Sequence, residues 1–201
     1  MSTEQGVDIG ELRRVVTEMY SCVSNEPERE FQFPTGRAWA LDLGYDPELL
    51  ARVPEGAVQS FAGVGNPFSL GPLAPGETAL DLGCGAGTDV LMAAQMVGPQ
   101  GRVVGIDMTP AMVSKARENA RTMGATNVEI LEGHVEKLAL ADGSVDVVVS
   151  NGVIDLVPDK DAVFAEIRRV LRPGGRIQIA DVVLQNPVSE GAKRDIDLWA
   201  Q

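Results

Sequence analysis

The stretch LDLGCGAGTD, residues 80–89, sets Gly83, Gly85 and Gly87 at alternate positions behind Asp81, where an apolar run meets a helical one. Glycines in a strand-to-helix turn let the backbone approach a ligand closely, and the helix start offers it unpaired N–H groups. The dinucleotide fingerprint Gly-x-Gly-x-x-Gly would need a further glycine at Thr88 or Val90, and neither position has one. A carboxylate at Asp81 suits a ligand that carries an ammonium group and repels a pyrophosphate. Twenty residues beyond Gly87, the next apolar run ends in Asp107. A carboxylate there can accept hydrogen bonds from vicinal ribose hydroxyls, and Met108 can pack on an adenine face. Together these residues describe a site for adenosine bearing an amino acid.

The elements that must hold this site are legible from about Thr78 onward, where short apolar runs alternate with helical periodicity, the pattern of βαβ units around a parallel sheet. TALDLG is the first strand and leads through the glycine turn to a helix over 89–97. GRVVGIDM is the second strand. Thr109 and Pro110 are an N-cap and first-turn pair for a helix that faces inward through Met112, Val113, Ala116, Ala120 and Met123 and stops at Gly124. VEILEG is the third strand and 145–150 the fourth, after an Asp-Gly turn. A helix from about Asp159 is expected to turn Phe164, Ile167 and Leu171 inward, with RPGGR ending it and RIQIADVV as the fifth strand. Upstream, Ile9, Leu12, Val16, Met19, Tyr20 and Val23 line one face of an amphipathic helix, DPELLARV reads as another, and SFAGVGNPF as a close-packed loop. The expected organisation is a helical cap over 1–74, an α/β core over 75–183 and a tail over 184–201.

LDLGCGAGTD, GRVVGIDMTPAMVSKARENA, VEILEGHVEKL, DGSVDVVVSNGVIDLVPDK and RRVLRPGGRIQIADVV resemble, in order, the successive motifs of class I S-adenosylmethionine-dependent methyltransferases. Within that superfamily, SNGVIDLVPDK, GIDMTPAM and the upstream LGYDPELLARVPEGAVQSFAGVGNPF resemble the arsenite methyltransferases. The resemblance implies a Rossmann-like, doubly wound sheet in order 3-2-1-4-5, and methyl transfer from S-adenosylmethionine to a small molecule, leaving S-adenosylhomocysteine. By position, Asp81, Gly83, Cys84, Gly85 and Gly87 would surround the methionine part and Asp107 would hold the ribose. Met108, His134 and Val135 would border the adenine, and Asn151 would turn backbone and side chain toward the amine and sulfonium. Phe61, Phe68 and Gly152 would line the acceptor pocket.

Each of these residues also has a plainer reading. The glycines can serve as a tight turn alone, and Cys84 as packing. His134, the single histidine, sits at the adenine end as cofactor contact or surface rather than as a general base. Tyr20 and Asp155 are the candidates for a role beside the methyl group, against core packing for Tyr20 and loop support for Asp155.

Composition narrows the partners. Seventeen basic against twenty-nine acidic residues give a net charge of −12 with no basic run, which argues against nucleic acid and anionic membranes. The opening MSTEQGVDIG lacks the features of a signal peptide, so a cytoplasmic protein is expected. Cys22 and Cys84 are the only cysteines and match neither a disulfide framework nor a metal site. Gly152 stands where the arsenite family carries a cysteine, and Val64 where members often carry another. A trio of thiolates, the soft ligand set that trivalent arsenic prefers, cannot be assembled, so arsenic methylation by that family's route is not expected. About eighteen residues follow the fifth strand, too few for the helix and the strands, one of them antiparallel, that complete the family's sheet, so a truncated form of a longer protein is expected, with a partner covering the exposed edge of the fifth strand as the alternative. The competing reading is a protein that binds the cofactor without turnover.

Overall fold

The computed structural model describes residues 8–186 and Ile196. Its centre is a five-stranded sheet in the order β3-β2-β1-β4-β5, built from β1 (Thr78–Leu82), β2 (Arg102–Asp107), β3 (Val128–Glu132), β4 (Val145–Asn151) and β5 (Leu171–Ala180). All four pairings are parallel, with Asp81 in register with Gly105 on one side and Val149 on the other. The strands read as near-continuous apolar runs because helices cover both faces. Ala79, Val103, Val147 and Val149 pack under α5 (Thr88–Val97) and α6 (Pro110–Met123), while Leu80, Val104, Ile106 and Val148 pack under α7 (Lys160–Val170).

Two expectations for the last helix and strand are corrected here. Phe164 is 45% exposed, and the inward residues of α7 are Val163, Ile167 and Val170. Their spacing fixes the face that meets the sheet, and Phe164 lies about 100° of helical turn away from Val163. Leu171 begins β5 rather than closing the helix, and RPGGR is carried inside that strand as an irregularity. Between Val145–Leu171 and Val147–Arg176, β5 advances five residues against two on β4.

Ahead of the sheet come α1 (Ile9–Asn25), α2 (Gly36–Asp42), α3 (Pro47–Ala51), α4 (Glu55–Val58) and a 3₁₀ turn (Pro67–Leu70). Asp8 and Asp46 cap α1 and α3 by accepting N–H groups of the first turn. Ala40, Tyr45, Leu50, Val53 and Val58 form a cluster against Leu91 and Met92 of α5. The far end of α1 is pinned by Lys115, whose Nζ donates to the Ser24 carbonyl (2.5 Å) and to Ser60 Oγ (2.9 Å), while Ser60 donates to the Val23 carbonyl (3.0 Å). This anchor lays α1 across the carboxyl end of the sheet. The tail expected at 184–201 lies, apart from 184–186 and Ile196, outside the described residues, as do Leu198 and Trp199. No helix among the described residues is long and apolar enough to cross a membrane.

Candidate functional site

Open parallel sheets bind ligands beyond the carboxyl ends of their strands, where neighbouring connections diverge. Here β1 and β4 diverge at that edge, and a pocket opens between the turns that follow β1, β2, β3 and β4, with α1 as its cover. The glycine turn forms its floor. Gly83, Gly85 and Gly87 have φ of +65°, +51° and +98°, a region that residues with a Cβ rarely adopt. A Cβ on Gly83 would strike the Val153 side chain, whereas one on Gly85 would meet no atom within 4 Å. Gly83 is thus required by packing as well as by φ. Gly85 keeps its face of the turn open.

Asp107, at the end of β2, holds this turn in place. Its Oδ2 accepts the Gly85 N–H at 2.9 Å and its Oδ1 the Thr109 N–H at 2.8 Å. Burial pushes its carboxyl up, against the pull of these N–H groups. Thr109 occupies the N-cap of α6 with Pro110 as the first helical residue, but its side chain makes no capping bond.

Asp81 is 3% exposed, and its Oδ2 has no hydrogen-bond partner. Burial drives its pKa well up, and the charges of Asp89 and Asp107 drive it further. Asp89, from the first turn of α5, is satisfied: Tyr45 donates its hydroxyl (2.7 Å) and Asn151 its amide (3.1 Å). Burial raises Asp89 to about 6 despite these two donors.

Asn151 borders the pocket at the tip of β4, but its carboxamide is committed to the cap rather than free for a ligand. Oδ1 accepts the N–H groups of Val64 (2.9 Å) and Gly65 (3.2 Å), and Nδ2 faces the Tyr45 hydroxyl (2.9 Å), the Gly65 carbonyl (3.0 Å) and Asp89. The expectation that this side chain turns to the amine and sulfonium is replaced by a clamp on the loop 63–65. Cys84 also borders the pocket, yet its thiol packs beside Val90 and Gly105 in the core. Burial pushes that thiol up, so it is no nucleophile.

Met108, His134 and Val135 line the side beyond β2 and β3, with His134 exposed and Val135 buried. Leu12, Arg13, Val16 and Tyr20 of α1 close the top, and Arg13 is tied across it to Glu136 at 2.8 Å. Phe61 and Gly152 lie at the opposite end, where a Cβ on Gly152 would stand 3.1 Å from a Val64 methyl. Phe68 does not reach the pocket. It packs edge-on against Tyr45 between the cap and the sheet, because the 3₁₀ turn that carries it points it into the core.

Of the two candidates for a role beside the methyl group, Tyr20 lines the pocket, and burial, then Asp155, Asp107 and Asp181, push its hydroxyl pKa up. Asp155 lies outside the lining, paired with Asp181. Asp181 itself accepts the Ile154 N–H at 2.9 Å, so the pair joins the loop after β4 to the end of β5. Burial first, and Asp181 second, raise Asp155 to about 7. The folded protein therefore holds a proton there that the unfolded chain loses near the ordinary value of 3.8, and this site makes stability fall as pH rises from about 4 to about 7. Asp155→Asn is expected to stabilise the protein by about 1–2 kcal/mol at pH 8, less than the ~4 kcal/mol of a fully buried group because solvent screens the pair. It should change little at pH 4.5. Urea unfolding at the two pH values measures this, and an equal gain at both would show that Asp155 is not the titrating group.

Tyr20 is the α1 residue that the sequence singles out; Leu12, Arg13 and Val16 beside it, Asp89, and Tyr45, which supports Asp89 from outside the lining, carry no such signal. An acid in the first turn of a helix reads as a dipole partner, which hides Asp89.

A Rossmann-like sheet with a glycine turn, an unpartnered acid behind it and a second acid at the end of the next strand defines an α/β protein with a pocket at the carboxyl edge of its sheet. Residues 73–200 match the family model described as a methyltransferase domain, and the chain belongs to that family. It is 52% identical over 155 residues to an arsenite methyltransferase from Halobacterium salinarum, covering 77% of this chain and 39% of that protein. It is 41% identical over 109 residues to nocamycin O-methyltransferase from Saccharothrix syringae, covering 54% of this chain and 39% of that protein. The crystal structure of an arsenic (III) S-adenosylmethionine methyltransferase from Chlamydomonas reinhardtii matches 72% of this chain and 51% of its own, with a TM-score of 0.67 and 39% identity. The chain thus spans about two fifths of the length of these curated relatives.

Proposed function

We propose that this chain binds S-adenosylmethionine in the pocket under α1 and supports transfer of its methyl group to a small, soft or uncharged acceptor. The observation that carries this reading is the unpartnered, buried Oδ2 of Asp81 beside a glycine turn whose Gly85 face is open. A buried carboxylate without a donor is costly unless a ligand supplies one, and the amino-acid ammonium of this cofactor is such a donor. The residues present therefore fit the cofactor. When bound, it would supply a methyl group activated by the sulfonium sulfur that carries it, which leaves as the thioether of S-adenosylhomocysteine.

The chain's own residues then bind, orient and exclude water. Asp81 accepts from the ammonium, and the Asp107 carboxylate, already fixed by Gly85 and Thr109, presents its remaining lone pairs to the ribose hydroxyls. Met108, His134 and Val135 border the adenine. Leu12, Val16 and Tyr20 keep water off the upper side, and Phe61 and Gly152 shape the end where the acceptor enters. In-line displacement by a soft nucleophile needs alignment and a dry site rather than a strong base. The wall beside Gly152 is formed by Val64, so it offers no thiolate to an arsenic ion.

Calorimetric titration with S-adenosylmethionine and S-adenosylhomocysteine tests the cofactor, and radiolabelled methyl transfer to arsenite, small thiols and phenols tests the acceptor. Micromolar binding of both nucleosides is expected, with turnover of a thiol or phenol and none of arsenite. Absence of binding overturns the reading. Binding without turnover of any acceptor would leave a cofactor-binding protein that does not transfer.

A further inference from the structure

We propose that the ligand-free pocket carries a proton on Asp81 at neutral pH, and that entry of the cofactor's ammonium expels this proton to solvent, so that cofactor binding is proton-linked. The proposal rests on the reading of the pocket given above.

Three carboxyl groups enter one cavity from β1, α5 and β2: Asp81, Asp89 and Asp107. Two of them have donors in place. Asp89 has the Tyr45 hydroxyl and the Asn151 amide, and Asp107 has the N–H groups of Gly85 and Thr109. Asp81, the most deeply buried of the three on the central strand, has none at Oδ2. No cation faces it. On its own face of the sheet β4 presents Asn151, the glycine turn presents Cys84 and the cap presents Tyr45. The guanidinium in the pocket wall, that of Arg13, is held by Glu136 at 2.8 Å.

An ionised Asp81 would therefore keep its Oδ2 buried without a donor among the described residues, beside an ionised Asp89. Of the two buried acids, the one lacking donors is the one that keeps a proton, because hydrogen bonds to the charged form favour ionisation of the other. The cofactor's ammonium reverses this balance. The exchange is Asp81–COOH plus ligand–NH3⁺ giving the contact pair Asp81–COO⁻ with ligand–NH3⁺, plus one H⁺ to the buffer. Charge in the pocket is conserved across the exchange, and a neutral acid is replaced by an ion pair.

Linkage fixes the direction. While free Asp81 holds its proton, affinity rises with pH, by up to about tenfold per pH unit for one proton released. Up to about pH 7 the ligand's own α-amino group, with an ordinary value of about 8, stays largely protonated and does not mask this slope.

S-adenosylhomocysteine is titrated calorimetrically between pH 6 and 7, at each pH in phosphate and in an amine buffer of large ionisation enthalpy. The expected result is a buffer-dependent enthalpy equivalent to release of about one proton, with tightening as pH rises. Asp81→Asn should bind more weakly and release none. Asp89→Asn keeps Asp81 but removes its charged neighbour, so proton release at pH 7 should shrink. Binding whose enthalpy is the same in all buffers overturns the proton linkage while leaving the cofactor reading intact. Absence of heat in every buffer overturns the cofactor reading instead. The proton is then decided on the free protein by infrared difference spectroscopy. A carboxylic-acid C=O band at pH 7 that disappears in Asp81→Asn supports the protonated Asp81, and its absence from the wild-type protein overturns the proposal.

Discussion

Asp107→Ala is expected to lower folding stability by about 2–4 kcal/mol and to weaken S-adenosylhomocysteine binding at least about tenfold, because it strips two N–H groups of their acceptor at ~1–3 kcal/mol each. Those donors, on Gly85 and Thr109, belong to the glycine turn and to the start of α6, so the loss is felt by the scaffold before any ligand arrives. The carboxylate thus has two tasks, bracing the turn and facing a ribose. They separate by measurement. Urea unfolding followed through Trp39, whose indole donates to the Gly63 carbonyl at 2.7 Å, reports the first. Calorimetry reports the second. Asp107→Asn, with one acceptor oxygen left, should recover part of the stability and little of the affinity. An unchanged urea midpoint in the alanine variant would mean that the turn keeps its shape without the brace.

Much of this arrangement is legible in the chain. The alternation of apolar runs and amphipathic helices orders the strands, and Asp81, the glycines and Asp107 announce themselves by type and spacing. What the sequence hides depends on contacts between distant segments. Tyr45 meets Asp89 across 44 residues and Asn151 across 106, and no local pattern encodes either contact. Phe61 and Phe68 look alike in the loop between cap and core, but only Phe61 reaches the pocket, since the 3₁₀ turn directs Phe68 inward. Phe164 is misread because its face depends on where α7 starts. The three extra residues at Pro173–Gly175 leave the period of both helix and strand, so they read as a stop although the strand runs through them.

Asn151 joins these hidden contacts into one unit, which makes Asn151→Ala the more damaging change: a loss of about 3–5 kcal/mol is expected, since a half-buried network of five hydrogen bonds loses its hub. Nδ2 carries two hydrogens and faces three acceptors, on Tyr45, Gly65 and Asp89, while Oδ1 takes two N–H groups from the loop. Alanine leaves Val64 and Gly65 without an acceptor and Asp89 with Tyr45 as its one donor. Without that second donor Asp89, already at about 6, moves further up. A carboxyl raised on folding costs stability as pH rises from its unfolded value through its folded one, so the variant should lose more at pH 8 than at pH 5. Urea unfolding at both values and amide exchange over residues 63–65 test this. A midpoint shift equal at both pH values would remove Asp89 from the network, and unchanged exchange at Val64 and Gly65 would remove the loop. The loop is flanked by Phe61 and carries Val64, which stands against Gly152 at the acceptor end of the pocket, away from the side lined by Met108, His134 and Val135. Loosening it should therefore raise the KM of the acceptor more than the Kd of the cofactor, the separation expected if the cap positions one reactant and the sheet edge the other.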